Sequence, residues 1–184
     1  MKIPGLVLAT LLSLSIMTSA GTTRLAPDWE LDSISGESVR LSDVVHEQPV
    51  VLLFWASWCP YCKALMPHLQ SMQLEYGDKI RILAINFADK DADPVAYIRN
   101  AGYDFTVLLE GDAVASAYRI YGTPGIVIVD QEREVRFDLR KTSLPKELAL
   151  DESANNKRKA AYRAPYWASE IRKSIDEIIG DDRS

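Results

Sequence analysis

Cysteine and histidine are scarce in this chain, two of each among 184 residues. Two cysteines cannot staple a fold through several bridges, and two cysteines with two scattered histidines fall short of a closed zinc site, which takes about four convergent ligands. An excess of positive charge is missing as well. The 21 lysines and arginines are outnumbered by 26 aspartates and glutamates, for a formal net charge of −5; that removes the basic footprint of a general nucleic-acid binder. There is no internal repeat and no low-complexity tract. No apolar run reaches the roughly 20 residues of a comfortable transmembrane helix. What remains, 47% hydrophobic and 26% charged residues at this length, is the composition of one globular core.

The chain opens on Lys2, an apolar run over residues 3–17, and the small residues Thr18, Ser19, Ala20 and Gly21. A charged start, apolar middle and small-residue end is the pattern of a secretory signal, with cleavage expected after Ala20. An uncleaved anchor is the other reading. Either way residues 21–184 are expected to work outside the cytoplasm, in a space such as the bacterial periplasm. Disulfides persist there, yet the only two cysteines, Cys59 and Cys62, stand two residues apart. Closing so short a loop removes little entropy from the unfolded chain, so the pair is better explained by chemistry than by stapling.

Periodicity supplies the frame. A polar stretch over residues 25–43 carries a short hairpin around Ser35-Gly36-Glu37. The unbroken apolar run Val50-Val51-Leu52-Leu53-Phe54-Trp55 predicts a strand buried on both faces. Cys62, Leu65, Met66, Leu69, Met72 and Leu74 then recur at near-helical spacing from Pro60 to about Tyr76, with Gly77 as the stop. Further strands are predicted over residues 80–87, 105–109, 126–129 and 134–139, and helices over 94–101 and 112–121. Trp167, Ile171, Ile175 and Ile178 stripe a final helix. Alternating strands and helices predict an α/β fold of three layers, a mixed central sheet with helices on both faces. The connection over residues 141–164 is long, either partly helical or a surface loop, and its run Asn155-Asn156-Lys157-Arg158-Lys159 either meets an acidic partner or simply faces water.

Proline suits the first position of a helix, so Pro60 places Cys59 at the N-cap and Cys62 one turn further on. The sulfur of Cys59 then faces unpaired backbone N–H groups and the positive end of the helix dipole, which favour a thiolate. Cys59 is expected to attack. Cys62, expected to be the more buried, would resolve the mixed disulfide. His46 and His68 are no natural partners for a metal half-site, one preceding the buried strand and the other lying on the helix, and no metal is expected.

The segment Phe54-Trp55-Ala56-Ser57-Trp58-Cys59-Pro60-Tyr61-Cys62-Lys63 resembles the active-site segment of the thioredoxin superfamily. Pro67 falls where that family's first helix carries a kinking proline, and Gly122-Thr123-Pro124 resembles its cis-proline turn. With the signal, the hairpin and the extra strand-helix segment, residues 25–139 most resemble the extracytoplasmic TlpA/ResA-like branch. The resemblance implies a thioredoxin-like fold and a thiol:disulfide oxidoreductase that needs no cofactor. Its partners would be protein thiols or disulfides and a membrane-linked recycling protein, with no nucleic acid. It implies a cis Thr123-Pro124 bond beside the cysteines, with Thr123, Pro124, Trp58, Pro60 and Tyr61 shaping substrate docking; Trp55 belongs to the core. Lys63 either favours the thiolate or is solvated. Two departures stand out. Leu53 occupies the place of the buried acid six residues before the first cysteine, and Leu65 that of the glutamate often found three after the second. Water or an acid from another segment would have to take the Cys62 proton. A soft-metal module holding Cu(I) on the same thiols, and a thiol peroxidase, are the other classes left open. The residues ahead of Cys59, namely Ala56, Ser57 and Trp58, do not clearly give the Thr/Ser-x-x-Cys spacing of a peroxidatic site.

Overall fold

The structure is a computed structural model that describes residues 24–90, 93–148 and 153–181. Strands β1 (Glu30–Asp32) and β2 (Ser38–Arg40) form the expected hairpin, turned at Gly36 with a left-handed φ of 83°. Helix α1 (Leu41–Glu47) leads into β3 (Val50–Trp55), every residue of which is buried. Then follow α2 (Pro60–Tyr76), β4 (Arg81–Asn86), α3 (Pro94–Ala101), β5 (Thr106–Leu108), α4 (Asp112–Ala117), β6 (Gly125–Val129), β7 (Val135–Asp138) and α5 (Asn156–Asp181).

The main sheet runs β5-β4-β3-β6-β7. β3 pairs parallel with β4 and antiparallel with β6, so the sheet is mixed and β3 is its centre. Alternate residues of that strand feed two cores. Val51, Leu53 and Trp55 pack with α2 and α5 through Leu65, Met66, Leu69, Ile171 and Ile175. Val50, Leu52 and Phe54 face the other way, against α1, α4 and the hairpin. A strand covered on both faces has no solvent side, which is why its sequence is a continuous apolar run rather than an alternating one. Helices thus lie on both faces of a mixed sheet, as the alternation of elements predicts.

Two helix boundaries differ from expectation, each for a local reason. The helix predicted over residues 112–121 stops at Ala117, because Arg119 turns left-handed at φ 56° and the Ile120 N–H reaches back to the Ala115 carbonyl. This is a Schellman closure with arginine where glycine is usual. The long connection is partly helical: Asn155 Oδ1 accepts from the Arg158 N–H at 2.9 Å, and α5 starts at Asn156, within the span expected for the connection. Lys157, Arg158 and Lys159 therefore occupy its first turn. Further along, α5 is locked to α2 by Tyr76 to Asp176 at 2.7 Å and Arg172 to Glu75 at 2.5 Å.

Candidate active site

The site is built where β3 ends. Leaving Trp55, the chain turns over residues 56–58 and enters α2 at Pro60. Cys59 is the N-cap, in extended conformation, and its sulfur accepts from the Cys62 N–H at 3.1 Å. Cys59 and Cys62 are joined in a disulfide, with Cα atoms 5.3 Å apart. An N–H aimed at the first sulfur is the contact that would stabilise a thiolate there after reduction. The difference in burial expected between the two cysteines is not seen: Cys59 is 1% exposed and Cys62 0%. Closure of the pair by its own turn and by the apolar core accounts for this, and both sulfurs are shielded in the oxidised form.

The Thr123-Pro124 bond is cis. Because Phe54 pairs with Gly125 in antiparallel register, the residue before Gly125 falls across from the end of β3, next to the turn that carries Cys59. Thr123 and Pro124 are half-buried, while Tyr121 ahead of them is the most exposed large hydrophobic residue among those described, at 82%. Asp138, the last residue of β7, and Arg140, in the turn that follows it, brace this loop. The Arg140 guanidinium donates to both Asp138 oxygens and to the Arg119 carbonyl. Burial alone would raise the Asp138 carboxyl, but the hydrogen bonds and charge of Arg140 outweigh it and leave the group below its ordinary value.

The aromatic rim divides as expected into core and surface. Trp55 is fully buried, whereas Trp58 is 59% exposed with its indole N–H donated to the Ala88 carbonyl at 2.9 Å. Pro60 and Tyr61 are half-buried. Tyr61 leans on the Trp167 ring, with centroids 6.0 Å apart, and beneath Arg163, so the N-terminal half of α5 is part of the site's wall. Lys63 is exposed, as its solvated alternative has it, and its ammonium lies 5.1 Å from the Tyr97 ring centroid. Burial, then the neighbouring Tyr103, push the Tyr97 phenol up to about 12, and the ring under Lys63 stays neutral.

Leu53 and Leu65, at the positions where the resemblance implies an acid, are wholly buried among apolar neighbours. One buried carboxylate does lie beside the turn that leads into Cys59, bonded to Ser57 rather than to either cysteine. Asp89, in the loop after β4, accepts from the Ser57 N–H at 2.7 Å, the Ser57 hydroxyl at 3.0 Å and the Asn86 amide at 2.8 Å. The sequence signal for this group is a polar Asn86 after the apolar run Ile82-Leu83-Ala84-Ile85, with Asp89 three residues later. Among the described residues no group of three or more His, Cys, Asp or Glu is placed to hold a metal ion.

The sequence matches the AhpC/TSA family over residues 22–138, a span holding both cysteines, the cis-proline turn and the whole five-stranded sheet. The chain belongs to the AhpC/TSA family. Within this thioredoxin-like family it is similar to the thioredoxin-like protein YneN of Bacillus subtilis, 34% identical over 110 residues that make up 58% of this chain and 64% of YneN. It is also similar to the thiol-disulfide oxidoreductase ResA of Geobacillus kaustophilus, 28% identical over 65% of this chain and 69% of that protein. The alignment with YneN thus spans just under two thirds of that relative's length. The fold matches the thioredoxin domain of a thiol-disulfide oxidoreductase from Bacteroides vulgatus with a TM-score of 0.60, at 20% identity, over 85% of this chain and 99% of that domain. These AhpC/TSA relatives include the ResA-like proteins that the motifs around Cys59 and Pro124 resemble.

Proposed function

We propose that the chain is an extracytoplasmic thiol:disulfide oxidoreductase that exchanges disulfides with protein substrates through Cys59 and Cys62. The single observation that carries this reading is the disulfide between the N-cap of α2 and its first turn, with the Cys62 N–H directed at the Cys59 sulfur. The names of the ResA and DsbE relatives, thiol-disulfide oxidoreductase and thiol:disulfide interchange protein, support it.

In the reducing direction the Cys59 thiolate attacks one sulfur of a substrate disulfide. One enzyme–substrate S–S bond forms, the substrate S–S bond breaks, and the first substrate thiolate leaves and takes up a proton. Cys62 then loses its proton and attacks the Cys59 sulfur, which releases the second substrate thiolate and closes the enzyme disulfide. Two electrons and two protons have passed to the substrate. Run backwards, the same steps oxidise a dithiol, and the potential of the recycling partner decides which direction prevails. An extended substrate strand would lie along the backbone of Thr123 at Pro124, with Trp58, Pro60 and Tyr61 as the apolar rim. No organic cofactor takes part.

The proposal includes a secretory signal over residues 1–20, which lies outside the described residues, and a single domain over residues 21–184 in the periplasm, recycled by a membrane-linked partner. Among the described residues no helix is long and apolar enough to cross a membrane.

Three assays on purified protein separate the possible uses of the pair. Reduced protein should convert a protein disulfide such as that of insulin catalytically, with dithiothreitol as electron source. It should turn over hydrogen peroxide no faster than free dithiothreitol does. Peroxide turnover without insulin reduction would establish a peroxidase instead, and tight stoichiometric Cu(I) binding without either turnover would establish a metal carrier.

A further inference from the structure

One buried carboxylate has no place in the exchange chemistry set out above. Asp89 is 9% exposed and lies in the loop between β4 and α3, with Lys90 beside it in the chain. Its Oδ2 accepts from the Ser57 N–H at 2.7 Å and from the Asn86 amide at 2.8 Å, and its Oδ1 accepts from the Ser57 hydroxyl at 3.0 Å. All three donors are neutral. Asn86 in turn reaches the Trp55 carbonyl at 3.4 Å, and the Phe87 N–H donates to that same carbonyl at 3.2 Å. One residue on, the Ala88 carbonyl holds the Trp58 indole, while Asp112 accepts from the Ala88 N–H at 3.2 Å.

The loop after β4 therefore grips residues 55, 57 and 58, the three that lead into Cys59 around Ala56. Ala88 sits at φ 53°, a left-handed conformation that a residue with a side chain adopts at a cost, and it is the residue whose two backbone groups serve Trp58 and Asp112. A buried carboxylate given only neutral donors keeps its charge uncompensated at close range. Two residues of chain span at most about 7 Å, so a group hydrogen-bonded to Ser57 stands on the order of 10 Å from Cys59. On its other side the loop borders an open cleft of about 390 Å³ that Lys90 and Glu110 also line, so solvent moderates the field without removing it.

We propose that Asp89 is a positioning residue for the dithiol: it clamps the turn that presents Cys59, and its buried negative charge behind that turn restrains ionisation of the Cys59 thiol. Two opposed influences then poise Cys59. The N–H groups and dipole of α2 favour the thiolate, and a like charge about 10 Å away disfavours it. Asp112, on the far side of Ala88, adds to the second influence; Lys90, next in the chain, opposes it, and Lys63, held over Tyr97, is the cation nearest in sequence to the cysteines. The inference rests on the dithiol reading above, but its readouts concern the thiol itself and hold or fail whether or not protein disulfides are turned over.

The test uses the reduced protein, with the Cys59 thiolate followed by its ultraviolet absorbance as pH is raised. Asp89→Asn should lower the Cys59 pKa by about 0.5 to 1 unit, the size expected of one charge at that range in an effective dielectric of about 20. It should also shift the reduction potential toward the oxidising side, because a more stable thiolate stabilises the reduced form. Ser57→Ala keeps the charge and loses one hydrogen bond; its Cys59 pKa should stay within about 0.2 unit of the parent, a small fraction of the effect of a full charge. Asp89→Glu should restore the parent value. A folded Asp89→Asn protein with unchanged pKa and potential would overturn the proposal and leave Asp89 a structural residue. Should that variant fail to fold, carboxyl ¹³C NMR on the unaltered protein decides. The Asp89 resonance should show an inflection at the Cys59 pKa in the reduced protein and none in the oxidised protein. Identical titrations in the two forms would refute the coupling.

Discussion

Cys62→Ser is expected to abolish turnover with protein disulfides while leaving a protein that accumulates covalently linked substrate. The remaining Cys59 can still form the first S–S bond, but no second sulfur is placed to break it. The structure sets the partner of Cys59 at one position only, one turn into α2 with Cα atoms 5.3 Å apart, and among the described residues there is no other cysteine. Cys59→Ser should lose turnover and adduct formation together. Both variants should fold, because a two-residue loop closed by a disulfide contributes little to stability through chain entropy. Non-reducing electrophoresis with mass spectrometry of the adduct is the check. Adducts through Cys62 in the Cys59→Ser protein, and none through Cys59, would reverse the roles of attacking and resolving thiol.

Leu65→Glu is expected to be among the most destabilising single changes available at this site, and its cost should depend on pH. Leu65 is fully buried on α2, three residues beyond Cys62, against Trp55, Met66 and Leu69 in the same core. A carboxyl forced into such surroundings has its charged form disfavoured, so its folded pKa rises above the ordinary 4.3 or so by up to several units. Below about pH 4 the group is neutral in both folded and unfolded chains and this cost is absent. As pH climbs through the window between the unfolded and folded pKa values the unfolded state ionises alone, and stability falls by about 1.4 kcal/mol per unit of separation. A separation of roughly 3 units would cost about 4 kcal/mol at neutral pH, a large share of the 5–15 kcal/mol that holds a domain of this kind together. Urea denaturation at pH 4.5 and pH 7.5 measures it. An equal loss at both pH values would mean that lost packing, not charge, sets the cost. If the variant folds at neutral pH, its carboxylate can take the Cys62 proton, and release of substrate from the mixed disulfide should quicken.

That prediction turns on a position where the absence of an acid is plain in the sequence. Val50-Val51-Leu52-Leu53-Phe54-Trp55 was legible as a two-sided strand because burial on both faces writes itself into consecutive residues. Cys59-Pro60 marked the start of α2 because a proline at the first helical position makes its predecessor the cap. Gly102 closed α3 where expected, at φ 69°. Arg119 carries no such mark: an arginine in the left-handed region looks like any helical arginine in the sequence, so nothing there signals that α4 ends at Ala117. The start of α5 was obscured by Pro165 within the helix and by a first turn of basic residues, where acidic ones usually signal the N-terminus. Asp89 was beyond reach for a different reason. Its meaning lies in Ser57, 32 residues earlier, and that contact exists only once β3 and β4 lie side by side in parallel register.

The reduction potential of the Cys59–Cys62 pair, measured by equilibrating the protein in glutathione and dithiothreitol buffers and counting free thiols, tests the central claim most directly. A redox-active dithiol should give one two-electron transition with a midpoint between about −270 and −120 mV, the span from thioredoxin to the strong oxidant DsbA. A midpoint below about −300 mV, where structural disulfides of secreted proteins lie, would contradict the account and make the pair a staple after all.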